Sequence, residues 1–281
     1  MDNVLVDNFF LNIVFRRNVM IFIFLILLIQ VTGKLDIFSN TTDILSDFGY
    51  ITEVFDITTE DGYILNFVHV LPNSSNPLNQ SIIMVPGLMC SSDHFVTGKK
   101  SSPAFFLSNQ GYDLWLLNFR GNKYSKGHIN KSISKEKYWN FTFEQKGIYD
   151  IVCAVNFVKL KMKVPKVHLI SYSMGGTAVL SSITLIPGFY QENIYSIVNW
   201  APATKFDHFK SLAILLLTKY YSFGTLSELG LGEAFPYNLA LDLSLDLLGN
   251  ISPAIIEFLL QLICDGSSKG YNYEGAFCII I

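Results

Sequence analysis

Apolar and polar positions alternate through "GYITEVFDITTEDGYILNFVHVLP". Two β-rich runs, Ile51 to Thr58 and Tyr63 to Val70, flank Asp61-Gly62 and predict a hairpin. "NSSNPLNQ" follows as a polar loop. Ser81 to Leu88 is then almost wholly apolar and is stopped by Pro86-Gly87, the pattern of a strand buried on both faces. Ser102 to Gln110 fits a short helix, and "GYDLWLLNF" a further buried strand.

The pattern changes period at Thr142. Thr142-x-x-Gln145 fits a capping box, in which the hydroxyl accepts from the third amide and the glutamine reaches back. Ile148, Ile151, Val152, Val155 and Val158 recur at helical spacing and predict one buried stripe. "KVHLISY" is the next strand, "GGTAVLSSITL" a helix, and "YSIVNWAP" a strand again. Strands alternating with helices predict an α/β fold with a mostly parallel sheet covered on both faces. From about Ala203 to Gly266 only apolar helical segments follow, which predicts a separate helical layer.

The first 33 residues stand apart. Arg16 and Arg17 precede a short apolar run, Val19 to Ile29, and small residues follow at Val31 and Gly33. That run is shorter than the roughly 18–20 residues needed to span a bilayer, so it reads as a secretory signal cleaved after Gly33; an uncleaved signal anchor is the alternative. Asn40, Asn73, Asn79, Asn130, Asn140 and Asn250 all head N-x-[ST] sequons, in keeping with a lumenal route to the lysosome or the extracellular space. A net charge of -3 offers no basic stripe for nucleic acid, and Lys123, Lys126, Lys131, Lys135 and Lys137 read as a solvated loop face. Cys153 falls on an apolar helix face and reads as a small buried hydrophobe, whereas Cys264 and Cys278 could close a small disulfide loop. The remaining cysteine, Cys90, forms no C-x-x-C pair and the five histidines do not cluster, so no metal site is expected.

The candidate chemistry lies in "HLISYSMGGTAVL", a strand running into glycines and a helix. Ser171-Tyr172-Ser173-Met174-Gly175 is one substitution from G-x-S-x-G, the nucleophile elbow, with Ser171 in place of the first glycine. Ser173 is the candidate nucleophile. Ester hydrolysis also needs amides aimed at the developing oxyanion, and the candidates are the backbone N–H groups of Leu88 and Met174. Read alone, Ser171 to Gly175 would also suit an ordinary small-residue turn.

Several segments together resemble the acid lipase family, the lysosomal and gastric lipases and their invertebrate relatives. "GYITEVFDITTEDGYIL" is similar to that family's N-terminal signature. "WLLNFRGNKYSKGH" matches W-x-x-N-x-R-G-N-x-Y-S-x-x-H at Trp115, Asn118, Arg120, Gly121, Asn122, Tyr124, Ser125 and His128. "YWNFTFEQKGIYD" resembles the segment leading into the helix before the nucleophile, and "NWAPATKFDHFKS" the strand leading into the cap. The resemblance implies an α/β-hydrolase core at 34–202 and a helical cap and lid at 203–281, after a signal at 1–33. It implies a lipase acting on triacylglycerols, cholesteryl esters or related lipid esters at a membrane or lipid-droplet interface, with no cofactor. Two segments depart from it: Pro86-Gly87-Leu88 stands for His-Gly-Leu, and Ser171-Tyr172-Ser173-Met174-Gly175 for Gly-His-Ser-Gln-Gly.

A serine hydrolase of this fold takes its acid and then its histidine from after the serine. His208 is the only histidine after Ser173, directly after Asp207, and by resemblance it belongs to the cap entrance. Asp242, Asp246 and Asp265 lie in cap-like sequence, so no triad acid or histidine is assigned in this chain. The resemblance would continue for about a hundred residues past "AFCIII", carrying the last core strands, an Asp and a His. Two other readings stand beside the lipase: a non-catalytic lipid-binding member of the same fold, and a membrane-anchored structural protein. N-terminal sequencing of the secreted protein is expected to begin at Lys34; a chain that keeps residues 1–33 would support the anchor.

Overall fold

In the computed structural model, which describes residues 39–88 and 90–204, each strand sends alternate side chains to opposite faces of one sheet. Ile83 and Val85 of β3 (Ser81–Val85), Trp115 and Leu117 of β4 (Asp113–Leu117) and Val167 and Leu169 of β6 (Val167–Tyr172) enter one core. Their neighbours Ile82, Met84, Leu114, Leu116 and Ile170 enter the other. Both faces being covered, β3 and β4 are buried at all their positions, as the unbroken apolar runs require.

The expected hairpin forms from β1 (Thr52–Thr58) and β2 (Tyr63–Val70), antiparallel with Thr58 opposite Ile64. Beyond it the order is β1-β2-β4-β3-β6-β7, with β7 at Ile194–Trp200 and the two-residue β5, Gly127–His128, added to β2. β4, β3, β6 and β7 run parallel. β4 lies on one side of β3 and β6 on the other, so the loops leaving β3 and β6 diverge at their carboxyl ends. Such a reversal of strand order opens a crevice there.

Among the described residues, six helices cover the faces. α1 (Thr41–Asp47) is capped reciprocally by Asn40 and Asp43, and with α2 (Pro103–Asn109) it packs on the Met84 face. The one-turn α3 (Lys135–Tyr138) brings Tyr138 into the opposite core, where α5 (Met174–Leu185) and α6 (Pro187–Asn193) also pack. A longer helix, α4, shares that face. It starts at the expected Thr142–Gln145 capping box, runs through Phe143–Gln145, widens into a π-helical turn at Lys146–Ile151, and continues as Val152–Met162.

That widened turn corrects the expected stripe. A π turn inserts an extra residue per repeat and shifts the helical phase. Ile151, Ala154, Val155 and Val158 are buried, while Ile148 and Val152 rotate toward a cleft between β1 and α4. Cys153 lines the same cleft, half-buried, and its Sγ donates to the Thr58 carbonyl at 3.3 Å. The lysine face also needs one correction: Lys123 is ion-paired to Asp93 at 2.5 Å, whereas Lys126, Lys131, Lys135 and Lys137 are exposed.

Arg120, just past β4, is almost wholly buried and bonds to Asp150 within the π turn. Its Nε donates to Asp150 Oδ1 at 2.7 Å, its backbone N–H to Asp150 Oδ2 at 3.0 Å, and its Nη2 to Asp61 Oδ1 at 2.8 Å. The guanidinium also lies 4.0 Å over the Tyr63 ring. Burial by itself would lower the Arg120 pKa, but the bonds to Asp61 and Asp150 outweigh it and raise it. One side chain thus ties the hairpin turn, the end of β4 and α4 together. Replacing Asp150 by Ala strands a buried charge and is expected to cost about 3–5 kcal/mol in urea unfolding. Asp61→Ala, at a more exposed site, is expected to cost less.

Candidate active site

β3 and β6 pair with Val85 opposite Ser171, so the two chains leave the sheet side by side. Pro86-Gly87-Leu88 leaves one strand and Tyr172-Ser173-Met174 the other. Ser173 is the N-cap of α5 with φ 50° and ψ −120°, a left-handed backbone that costs a non-glycine residue on the order of 1–3 kcal/mol. Its backbone is held on both sides: its N–H donates to the Trp200 carbonyl at 2.9 Å, and its carbonyl accepts from Gly176 at 2.9 Å and from Ala203 at 3.3 Å.

Three glycines permit this turn. A Cβ on Gly175 would stand 2.5 Å from the Pro86 carbonyl oxygen and 2.8 Å from that of Val85, so α5 starts flush against the end of β3. A Cβ on Gly176 would stand 2.8 Å from Pro202 Cβ. A Cβ on Gly87 would stand 3.0 Å from the Tyr172 ring and 3.2 Å from Ser173 Cβ, so the loop after β3 lies directly against the serine. The expected pair of amides therefore belongs to segments in contact. Met174 is the first residue of α5, where an amide has no partner within its own helix and the helix dipole favours negative charge. Leu88 follows Gly87, with its side chain exposed. Ser173 itself is half-buried.

A polar cluster fastens the loop after β3. Asp93 accepts from Ser91 Oγ at 2.9 Å and Tyr124 Oη at 2.8 Å, and also from Thr41 of α1. Burial, and then the negative charge of Asp93, raise the Tyr124 pKa. Asn118 Oδ1 accepts from the Ser92 N–H at 2.9 Å and from Asn122 Nδ2 at 2.9 Å. The residues of the W-x-x-N-x-R-G-N-x-Y-S-x-x-H pattern are thus scaffold. Trp115 donates to Asp113, Ser125 to the Asn118 carbonyl, and Gly121 takes φ 81°.

The described histidines are spread around the sheet. His69 Nε2 lies 2.6 Å from Asp113 Oδ1, and its ring stacks on Trp115. That His–Asp pair sits at the start of β4, roughly 15 Å of strand from the Ser173 end. His168, near the start of β6, contacts Ser196 Oγ at 2.8 Å, and His128 the Asp61 carbonyl. His94 alone is near the corner, its ring stacked 4.4 Å over Tyr172, and burial lowers its pKa. Among the described residues none of these hydrogen-bonds Ser173. No group of described residues could hold a metal ion.

Asn73, Asn79, Asn130 and Asn140 are exposed, and Asn40 is half-buried as the cap of α1. Neither Cys90 nor Cys153 is in a disulfide. Asn250, Cys264, Cys278, His208, Asp207, Asp242, Asp246, Asp265, the leader 1–33 and the cap 205–281 lie outside the described residues. What sequence reasoning missed is the Trp200–Ala203 segment backing the corner. Its one signal was small and proline residues directly after a strand.

Two family models match the chain. The partial α/β-hydrolase lipase region covers residues 41–99, and the α/β hydrolase fold covers residues 80–211. Lipase 1 of Drosophila melanogaster is 32% identical over 171 residues, which are 60% of this chain and 38% of that protein. Mouse gastric triacylglycerol lipase is 32% identical over 64% of this chain and 44% of its own length. Human lysosomal acid lipase/cholesteryl ester hydrolase is 31% identical over 53% and 38%. The chain thus spans about half the length, or less, of these relatives. Sheet order, strand–serine–helix corner and both matches make it an α/β-hydrolase fold protein. Within that fold it is similar to the lysosomal and gastric lipases, at 31–32% identity over 53–64% of this chain.

Gly175→Ala is expected to displace α5 or the end of β3 and lower the thermal midpoint strongly, since the clash is with backbone. Gly188→Ala in α6, where a Cβ meets nothing within 4 Å, is expected to leave the midpoint nearly unchanged or slightly raised.

Proposed function

We propose that the whole protein is a lipase, a serine ester hydrolase acting on neutral lipid esters such as triacylglycerols or cholesteryl esters. The observation that carries this reading is the left-handed backbone at Ser173 beside Gly87, with α5 beginning at the next residue. The similar lipases whose names give triacylglycerol and cholesteryl ester support the substrate class.

In this mechanism Ser173 Oγ attacks the acyl carbonyl carbon. The carbonyl π electrons move onto oxygen, and the Leu88 and Met174 amides donate to the resulting oxyanion. The oxyanion collapses, the ester C–O bond breaks and the alcohol leaves with a proton, which gives an acyl-serine. Water then cleaves that second ester and regenerates Ser173. No described histidine or acid is assigned to move these protons. On this reading the sequence after 203, whose apolar pattern predicts helices, supplies a cap against which acyl chains lie. The same reading puts the protein on the secretory route, with Asn40, Asn73, Asn79, Asn130, Asn140 and Asn250 as sugar acceptors and Cys264–Cys278 as a disulfide.

A fluorophosphonate probe is expected to label the protein at Ser173, with labelling abolished in Ser173→Ala. A wild-type protein that stays unlabelled while it retains a fatty ester through purification would instead make it a lipid-binding member of the fold.

A further inference from the structure

Ser171 departs from the small residue expected two positions before the serine, and its hydroxyl has to go somewhere. It lies on the α5 face of β6, fully buried, and a Cβ on Gly176 would come 3.4 Å from its Oγ. A buried hydroxyl without a partner costs on the order of tenfold in an equilibrium. Here it donates to Oδ1 of Asn199, its registered partner on β7. Asn199 is directly followed by the segment that backs the corner. Trp200 supplies the carbonyl for the Ser173 N–H, Pro202 packs on Gly176, and the Ala203 N–H returns to the Ser173 carbonyl. Thr177 Oγ1 closes the loop by donating to the Ala203 carbonyl at 2.7 Å. Ala201, in the middle, takes φ 44°, a second left-handed non-glycine residue set against the first.

We infer that Ser171 and Asn199 are a matched positioning pair, which holds the end of β7 so that Trp200–Ala203 keeps Ser173 in its left-handed backbone. Neither touches the reacting atoms. The extra hydroxyl at position 171 is tolerated because position 199 accepts from it, and the two residues act as a unit. The kinetic readout below rests on the hydrolase reading, while the exchange readout does not.

The pair predicts a sign that independent structural roles do not. Asn199→Leu leaves the Ser171 hydroxyl without an acceptor and excludes water that could replace it. It is expected to slow fluorophosphonate labelling of Ser173 about tenfold, through the rate of bond formation and not through probe affinity. Adding Ser171→Gly removes the stranded hydroxyl and is expected to bring the double variant back to within about threefold of wild type. Amide exchange at Ser173 should speed up in Asn199→Leu and recover in the double variant. Asn199→Ala, which leaves more space, provides the same comparison if the leucine variant does not fold.

A double variant no better than Asn199→Leu, or single variants indistinguishable from wild type in both readouts, overturns the pairing. If the wild type itself does not label, the hydrolase reading falls and amide exchange alone decides the pair.

Discussion

The structure depends on one close approach, that of the start of α5 to the end of β3. With the Gly175 Cα lying against the Val85 and Pro86 carbonyls, the chain leaving β6 has no room for a gradual turn. It reverses within a single residue, and that residue must take a backbone that side chains ordinarily avoid. The strain falls on Ser173, and neighbouring elements offset it: Trp200 and Ala203 bond its backbone from β7, and Gly87 closes on it from β3. A serine so constrained is raised at the carboxyl edge of the sheet, where the reversal of strand order already opens a crevice. The proposed chemistry follows from where the packing places that residue.

Two polar clusters hold the elements around the crevice in place. Arg120 joins the β1–β2 turn, the end of β4 and the π turn of α4 through Asp61 and Asp150. Asp93 joins α1, the loop after β3 and the Tyr124 turn. Arg120 and Tyr124 of the longest pattern bind these acids, and Asn118, Asn122 and Ser125 bond one another and Ser92 beside them, so that pattern is a signature of support around the candidate site. His69–Asp113 shows why geometry has to be consulted before roles are assigned. It is a histidine–carboxylate contact of good length, stacked on Trp115, at the wrong edge of the sheet to serve Ser173.

The long strands and α5 were legible in the sequence because both faces of the sheet are buried. An apolar run bounded by Pro86-Gly87 or by the glycines after Ser173 has few other solutions. The Thr142 cap was legible because it is a local interaction, complete within four residues. The π turn was not: its Asp150 bonds to Arg120 from across the fold, and no spacing within α4 encodes that partner. α1, α3 and α6 are short and derive their stability from packing, so periodicity gave them no signal. At the candidate site, Ser173 and the Leu88 and Met174 amides could be proposed from strand–glycine–helix order, but the backing by Trp200–Ala203 and the Ser171–Asn199 bond are tertiary. Ser171 and Tyr172 are departures from the pattern of the resemblance. In the fold they are matched, Ser171 by Asn199 and Tyr172 by the stacked His94 ring.

A crystal structure of the protein carrying an alkyl phosphonate on Ser173 tests the central claim most directly, because the phosphoryl oxygen occupies the place of the oxyanion. The account predicts a positive φ at Ser173 and that oxygen within hydrogen-bonding distance, about 2.7–3.1 Å, of both the Leu88 and Met174 amides. A phosphoryl oxygen turned to solvent, or a serine whose backbone relaxes to an ordinary helical φ, would contradict it.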